Sequence, residues 1–220
     1  MINQIDSNAA TRYLYAIAWL TESDISPLEK DQISQFSRGE VGLSQLSNAT
    51  KRYLRNWKLQ HAVSALIKGS ALRICNFCPD HPNYYSKAFP PMREVFRLGE
   101  YSLAFAEFNA SNRRYRSAVE IGIANMIFGV HIAQYSDALI FMNGVRVSKN
   151  ALSFFSRFSE CRPHWKTEVQ RRIRLLHRLL FSAKSSLIAE KRNLLFHLKE
   201  IEGILKPNSY LLTSPKVWPH

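Results

Sequence analysis

Two short pairs of metal-ligating residue types stand out in the sequence. Two residues separate Cys75 from Cys78 in one pair, and two separate Cys161 from His164 in the other. Thiolate and imidazole ligands of this kind could hold a zinc ion in a tetrahedral site, with His81 as an alternative ligand. More than 80 residues lie between the two pairs. The sequence therefore leaves open whether they meet, and cysteines that bind no metal are the alternative.

A second pattern lies near the C-terminus, where Arg192 and then Asn193 precede His197. This Arg-x4-His spacing resembles the signature of HEPN ribonucleases, and the resemblance implies action on an RNA 2′-hydroxyl and phosphate. Residues five apart on a regular helix point about 140° from one another, which does not suit a shared site on one helix. The same spacing recurs from Arg172 to His177, which shows how readily a basic chain produces it. A metal-independent ribonuclease is therefore an alternative interpretation.

Residues 31–56 could form a helix-turn-helix unit that reads DNA. Residues 32–40 would be the first helix, a Val-Gly-Leu turn would follow, and residues 44–56 would be the second helix. The second helix would carry three cations, which are Lys51, Arg52 and Arg55. It also carries an apolar stripe of Tyr53 and Leu54 that continues to Trp57. The stripe favours a helical hairpin packed in the core, with DNA binding as the alternative.

Familiar catalytic motifs are missing from the sequence. It contains no glycine-rich phosphate loop, no His-Glu-x-x-His motif, no nucleophile elbow and no dinucleotide fingerprint. We therefore expect a protein that binds other macromolecules, with no catalytic residue, cofactor or metal in the preferred interpretation.

The charge of the chain points to an anionic partner. Lys and Arg number 30 against 17 Asp and Glu, which gives a formal net charge of +13. A surplus this large favours nucleic acid, anionic lipid headgroups or an acidic protein surface. Three cysteines do not form a secreted disulfide framework. With no expected signal peptide and no long apolar run, we expect a cytoplasmic protein without a membrane span.

Hydrophobic periodicity predicts an all-α fold in a single helical domain. Helices are expected over residues 8–22, after Ser26-Pro27, and over residues 44–68, 92–108 and 112–134. Gly69 is expected to end the third of these helices. Residues 75–91 contain four prolines and predict a Cys/Pro-rich loop. Asn143-Gly144 lies between two apolar runs, so we expect one small β-hairpin near residues 138–148, or a helix C-cap at Gly144.

The C-terminal part predicts a long basic helix. One apolar position recurs every seven residues, at Ile173, Leu180, Leu187, Leu194 and Ile201. Such spacing is typical of a heptad seam. The expected organisation is a helical domain over 1–160, a heptad-patterned basic helix over 161–206 and an irregular tail over 207–220.

Residues 56–73 are the most distinctive stretch, and they resemble the central signature of the SctK family. This family comprises the MxiK/OrgA/YscK-like accessory proteins of the type III secretion sorting platform. The matching positions are Trp57, Leu59, Ala62, Val63, Leu66, Ile67, Gly69, Leu72 and Arg73. Weaker likenesses follow in the same order at residues 122–124 and 145–147.

The resemblance implies a non-enzymatic cytoplasmic scaffold that is peripheral to the inner membrane. Such a protein links the cytoplasmic domain of the inner-membrane ring to the C-ring component of the sorting platform. The residues expected to form the helical core or to anchor a partner are Trp57, Leu59, Val63 and Leu66. Arg73, Arg93, Arg97 and the basic C-terminal helix would dock on an acidic protein surface.

Overall fold

Seven α-helices account for most of the part of the chain that the structure describes. The computed structural model describes residues 8–21, 25–75, 77, 92–133, 138–171 and 173. The helices are Ala9–Thr21 (α1), Pro27–Arg38 (α2), Asn48–Leu54 (α3), Trp57–Ser70 (α4), Met92–Ser111 (α5), Tyr115–Ala133 (α6) and Ala138–Cys161 (α7). Short 3-10 helices cover Leu43–Gln45 and Pro163–Trp165. Within these ranges the only β pairing is an isolated bridge between Asn8 and Ile74, so the predicted all-α fold is confirmed.

Helix α6 lies at the centre of the domain. It packs against α4, α5 and α7. Apolar side chains are buried all along it, including Ile121, Phe128 and Ile132. A helix that is apolar on every side belongs in a core rather than at a surface. The helices expected over 92–108 and 112–134 are confirmed as α5 and α6.

The ends of α2 follow directly from its sequence. The Ser26 hydroxyl accepts a hydrogen bond from the Glu29 amide, and the Glu29 carboxylate accepts one from the Ser26 amide. This capping box, with Pro27 at the first helical position, satisfies donors that have no partner inside the helix. Gly39 ends the helix in the left-handed conformation, with φ of 73°.

The single helix expected over 44–68 is divided in the structure. Ser47 caps α3 by accepting from the Thr50 amide, and Asn56 caps α4 by accepting from the Lys58 amide. Short polar side chains compete with helical hydrogen bonds in this way, so they start new helices inside an apolar pattern. Gly69 does not end α4. It lies inside the helix, where it lets α1 approach closely, because a β-carbon there would lie 2.6 Å from the Tyr13 ring.

The hairpin predicted near 138–148 is wrong, and so is the alternative of a helix end at Gly144. Helix α7 runs through Asn143-Gly144 without a break. Gly144 is needed because α6 and α7 cross there with their backbones in contact. A β-carbon on Gly144 would lie 2.5 Å from the Gly129 carbonyl oxygen, and one on Gly129 would lie 2.6 Å from the Gly144 oxygen. The glycine serves a helix crossing rather than a turn.

Past the end of α7, the chain folds back onto the domain. The Trp165 ring lies 6.5 Å from Tyr115 and 6.4 Å from Phe158, and Val169 is buried. Residues 166–171 are helical. The predicted heptad seam beyond Ile173, the tail over 207–220 and most of the Cys/Pro-rich loop lie outside the described residues.

Candidate functional site

Helices α1 and α4 form the framework of the candidate site. They run antiparallel, because Trp19 near the end of α1 meets Trp57 at the start of α4, while Tyr13 meets Gly69. The Asn56 cap fixes where α4 begins, and so it fixes the position of Trp57 in the first turn.

Four side chains on these helices form an aromatic cluster, which consists of Tyr15, Trp19, Trp57 and His61. The Trp19 and Trp57 rings lie 5.1 Å apart at 70°, and Tyr15 meets Trp19 edge-on at 5.9 Å. The His61 ring lies 5.3 Å from Trp57 and 5.4 Å from Trp19. Edge-to-face geometry of this kind is favourable for aromatic pairs. The four rings therefore hold one another in defined positions.

Much of the aromatic cluster faces solvent. Trp57 is 54% exposed and Tyr15 is 55% exposed, whereas Trp19 is half-buried. Leu14 extends the apolar surface on α1. Neither α1 nor α4 contains an aspartate or glutamate, and Lys58 and Lys68 give α4 positive charge. The pair of helices thus presents exposed aromatic surface on a cationic framework.

Beneath this surface, most of the other helical residues of the SctK-like signature are core residues, whereas Ile67 and Leu72 are half-buried. Leu59 and Leu66 are fully buried, Val63 is nearly so, and Gly69 packs against Tyr13. Of the two roles expected for these positions, they therefore perform the structural one. Within the helical part of the signature, Trp57 is the position that combines a large apolar side chain with exposure.

The structure does not gather the predicted arginines around Trp57. Arg73 is exposed and follows Leu72, beyond the far end of α4, which is about 20 Å from Trp57 for a helix of this length. Arg93 and Arg97 lie on α5, which packs mainly against α2 and α6. Arg93 is exposed and Arg97 is half-buried. The expected docking role of these arginines stays a prediction, and most of the basic C-terminal helix lies outside the described residues.

A buried polar pair lies under the α1–α4 framework. The Tyr13 hydroxyl and His131 Nδ1 form a hydrogen bond of 2.7 Å. Burial lowers the pKa of His131 to about 4, so the imidazole is neutral at pH 7. Burial also raises the pKa of Tyr13 well above its usual value and that of the neighbouring Cys75 thiol to about 12. A thiol protonated in this way is a poor nucleophile.

The described members of the two proposed zinc pairs lie at opposite ends of α6. Cys75 is close to Tyr13, whose partner is His131 near the end of α6, whereas the His164 ring is 6.4 Å from Tyr115 at its start. Sixteen residues (131 − 115) separate these ends, which corresponds to about 24 Å along a helix. A zinc ion shared by the two pairs is therefore excluded. Cys78 and His81 lie outside the described residues.

No group of three or more potential metal ligands occurs in the ranges that the structure covers.

The Arg192–His197 motif and the similar Arg172–His177 spacing lie outside the described residues. The ribonuclease interpretation therefore stays a prediction.

The geometry of α2 and α3 differs from that of a helix-turn-helix motif. Nine residues, 39–47, connect α2 to α3, whereas the motif uses a turn of about three or four residues. Helix α3 has only seven residues, and Tyr53 and Leu54 face the core. This arrangement matches the helical hairpin that the apolar stripe favoured.

Sequence reasoning missed three members of the aromatic cluster: Tyr15, Trp19 and His61. The available indication was that Tyr15 and Trp19 lie four residues apart and fall off the buried stripe of α1. The missing information was the antiparallel pairing of α1 with α4. This pairing joins residues that are about 40 positions apart, such as Trp19 and Trp57.

Comparison with protein-family models, curated proteins and solved structures gives no match for this chain. Among the described helices, none is long and apolar enough to cross a membrane. The geometry of the site itself therefore carries the functional argument.

Proposed function

We propose that this chain is a non-enzymatic adaptor that docks on an acidic protein surface through its aromatic cluster. The observation that carries this proposal is the position of Trp57, which is 54% exposed although it is held edge-on against Trp19. Tryptophan is the residue type most often found at the energetic centre of protein interfaces. The Trp57 ring is already held in place by Trp19, so docking would cost little additional side-chain entropy.

The exposed face of Trp57 can make a substantial contribution to docking. Covering the exposed half of a tryptophan side chain removes on the order of 125 Å² from water, which is worth about 3 kcal/mol. Tyr15 and Leu14 provide further apolar area beside it. The cations of α4 would mainly set orientation and association rate on an acidic partner.

The setting that we propose follows from the resemblance of residues 56–73 to the SctK family. In that setting the chain acts in the cytoplasm, at the inner face of the inner membrane, without crossing it. It would join the cytoplasmic domain of the membrane ring to the C-ring component of a type III secretion sorting platform. The buried positions Leu59, Val63 and Leu66 would hold α4 in place so that Trp57 is presented.

Affinity purification of the tagged chain from its native host tests this proposal. The wild type should recover the C-ring component and the membrane-ring component, and Trp57→Ala should lose at least one of them. Leu28→Ala is the matched control, because Leu28 is also an exposed apolar residue but lies on α2. Recovery of nucleic acid alone, or equal recovery by wild type and Trp57→Ala, would contradict the proposal.

A further inference from the structure

A concave site separate from the aromatic cluster lies between two turns of the domain. The α3–α4 turn contributes Arg55 and the α5–α6 turn contributes Arg114, and together they border a cleft of about 580 Å³. Gln60, Asn112 and Ser117 line the cleft with polar groups, and Phe105 gives it an apolar wall. Clefts of this size are typical of small-molecule sites, whereas protein-docking surfaces are flatter.

The charges of this cleft are one-sided. No carboxylate lines it, and neither Arg55 nor Arg114 forms an ion pair with any residue that the structure describes. Arg113 and Arg116 add two further cations beside it. Arg55 and Arg114 border the same cleft, so an anion bound in it would be attracted by both. The first turn of α6 lies here too, and it has no acidic residue to complement the helix dipole.

The aromatic wall orients the arginine. The Phe105 and Phe108 rings are nearly parallel, at 18° with centroids 6.4 Å apart. The Arg55 guanidinium lies over the Phe108 ring, 5.8 Å from its centre. Stacking of this kind restricts the guanidinium plane without using its hydrogen-bond donors. The donors of Arg55 therefore remain available to a ligand in the cleft.

The polar side chains of the cleft are fixed as well. Gln60 Nε2 donates to the Arg55 carbonyl oxygen at 3.0 Å, and Asn112 Nδ2 donates to the Phe108 carbonyl oxygen at 2.7 Å. The backbone therefore orients each amide, at Arg55 in one case and at the last turn of α5 in the other. The cleft combines oriented amides, an aromatic wall and two guanidinium groups that have no ion-pair partner among the described residues.

We propose that this cleft binds a phosphorylated small molecule with a planar ring, of the nucleotide class. Arg55 and Arg114 would hold the phosphate from the two turns that carry them, since guanidinium groups bind phosphate oxygens in bidentate fashion. The planar ring would lie against Phe105, as bases stack on aromatic side chains. The site does not depend on the proposed docking function, because it uses none of the four residues of the aromatic cluster.

Isothermal titration calorimetry with ADP, inorganic phosphate and adenosine tests the proposal. ADP should bind, and phosphate and adenosine should each bind more weakly, because each fills only part of the cleft. Arg55→Gln and Arg114→Gln should each weaken ADP binding by about tenfold or more. Both residues are exposed, so the variants should fold, and circular dichroism checks this. Arg52→Gln removes the same charge from an exposed position outside the cleft and should leave ADP binding unchanged.

Three results would overturn the proposal. The first is no heat of binding at ADP concentrations up to about 5 mM, where even a very weak site would show occupancy. The second is an equal loss in Arg52→Gln and Arg55→Gln, which would indicate unspecific attraction to a basic surface. The third is Arg55-dependent binding of an oligothymidylate or a hexaglutamate peptide by a protein that does not bind ADP. That result would assign the cleft to a macromolecule.

Discussion

Tyr13 and His131 share a buried hydrogen bond of 2.7 Å that ties α1 to the end of α6. His131 is 4% exposed, and burial lowers its pKa to about 4. Cys75 lies close to Tyr13, and burial keeps its thiol protonated. Burial, rather than the hydrogen bond, therefore keeps the His131 imidazole neutral at pH 7.

The first prediction concerns acid stability. Between pH 6.5 and pH 4 the unfolded chain binds a proton at His131 that the folded chain does not, so stability falls as the pH is lowered through this window. The full loss would be about 3 kcal/mol, from a difference of about 2.5 pKa units. Urea unfolding at several pH values measures it.

His131→Gln provides the reference for that measurement. Glu107 is half-buried, and desolvation raises the pKa of its carboxyl, which makes stability fall as the pH rises through the raised value. The difference between wild type and His131→Gln removes this opposing contribution. A wild-type pH dependence identical to that of the variant would show that His131 titrates normally.

A second prediction tests the crossing of α6 and α7. Gly144→Ala should destabilise the domain by about 2–3 kcal/mol, because the new methyl group would meet the Gly129 backbone and not a movable side chain. The gain in helix propensity, about 1 kcal/mol, does not compensate. Thermal and urea unfolding measure the change.

Gly42→Ala is the control for the glycine experiment. Its new β-carbon would find ordinary contacts at 3.7 Å and 3.9 Å, so its effect should stay within about 0.5 kcal/mol. If Gly144→Ala were as stable as Gly42→Ala, the two helices would not cross in backbone contact.

Gly144 also shows which features of the fold the sequence alone does not predict. Apolar periodicity was sufficient to predict α1, α5 and α6, because each has a continuous stripe or a fully apolar face. Asn143-Gly144 has the composition of a tight turn, and local sequence cannot distinguish a turn from a close helix crossing. The deciding atoms belong to Gly129, on another helix. Tertiary contact overrides local preference at such positions.

The candidate site could be predicted only in part, again because contacts between distant segments decide its geometry. Trp57 was identified from its own segment, but sequence spacing could not tell that it is exposed while Leu59 is buried. Both residues fit an apolar pattern, and their difference depends on where α1 packs. The Arg55–Arg114 cleft was not predicted, because its two arginines are 59 positions apart (114 − 55) and meet only through the fold.

A third prediction concerns the division between α3 and α4. Asn56→Ala removes the side chain that accepts from the Lys58 amide, and it should cost about 1 kcal/mol of stability. Asn48→Ala is the matched control: Asn48 is exposed, and no capping hydrogen bond is formed by its side chain in the described region. Urea unfolding should show a loss for the first variant only. Equal stability of the two variants would mean that Asn56 does not act as a cap.

The fourth prediction separates presentation of Trp57 from the folding of its helix. Leu59→Ala should destabilise the domain by about 2–5 kcal/mol, because Leu59 is fully buried. Trp57→Ala should cost less, about 2 kcal/mol, because only the buried half of its side chain, which packs on Trp19 and His61, loses contacts. Thermal unfolding of the purified variants measures both.

Tryptophan fluorescence gives an independent check on the same pair of variants. With Trp57 removed, Trp19 loses its edge-on neighbour at 5.1 Å and becomes more accessible to a neutral quencher such as acrylamide. A loss of stability in Trp57→Ala as large as that in Leu59→Ala would make Trp57 a core residue. That result would contradict the docking proposal, which requires Trp57 to be available to a partner while Leu59 supports α4.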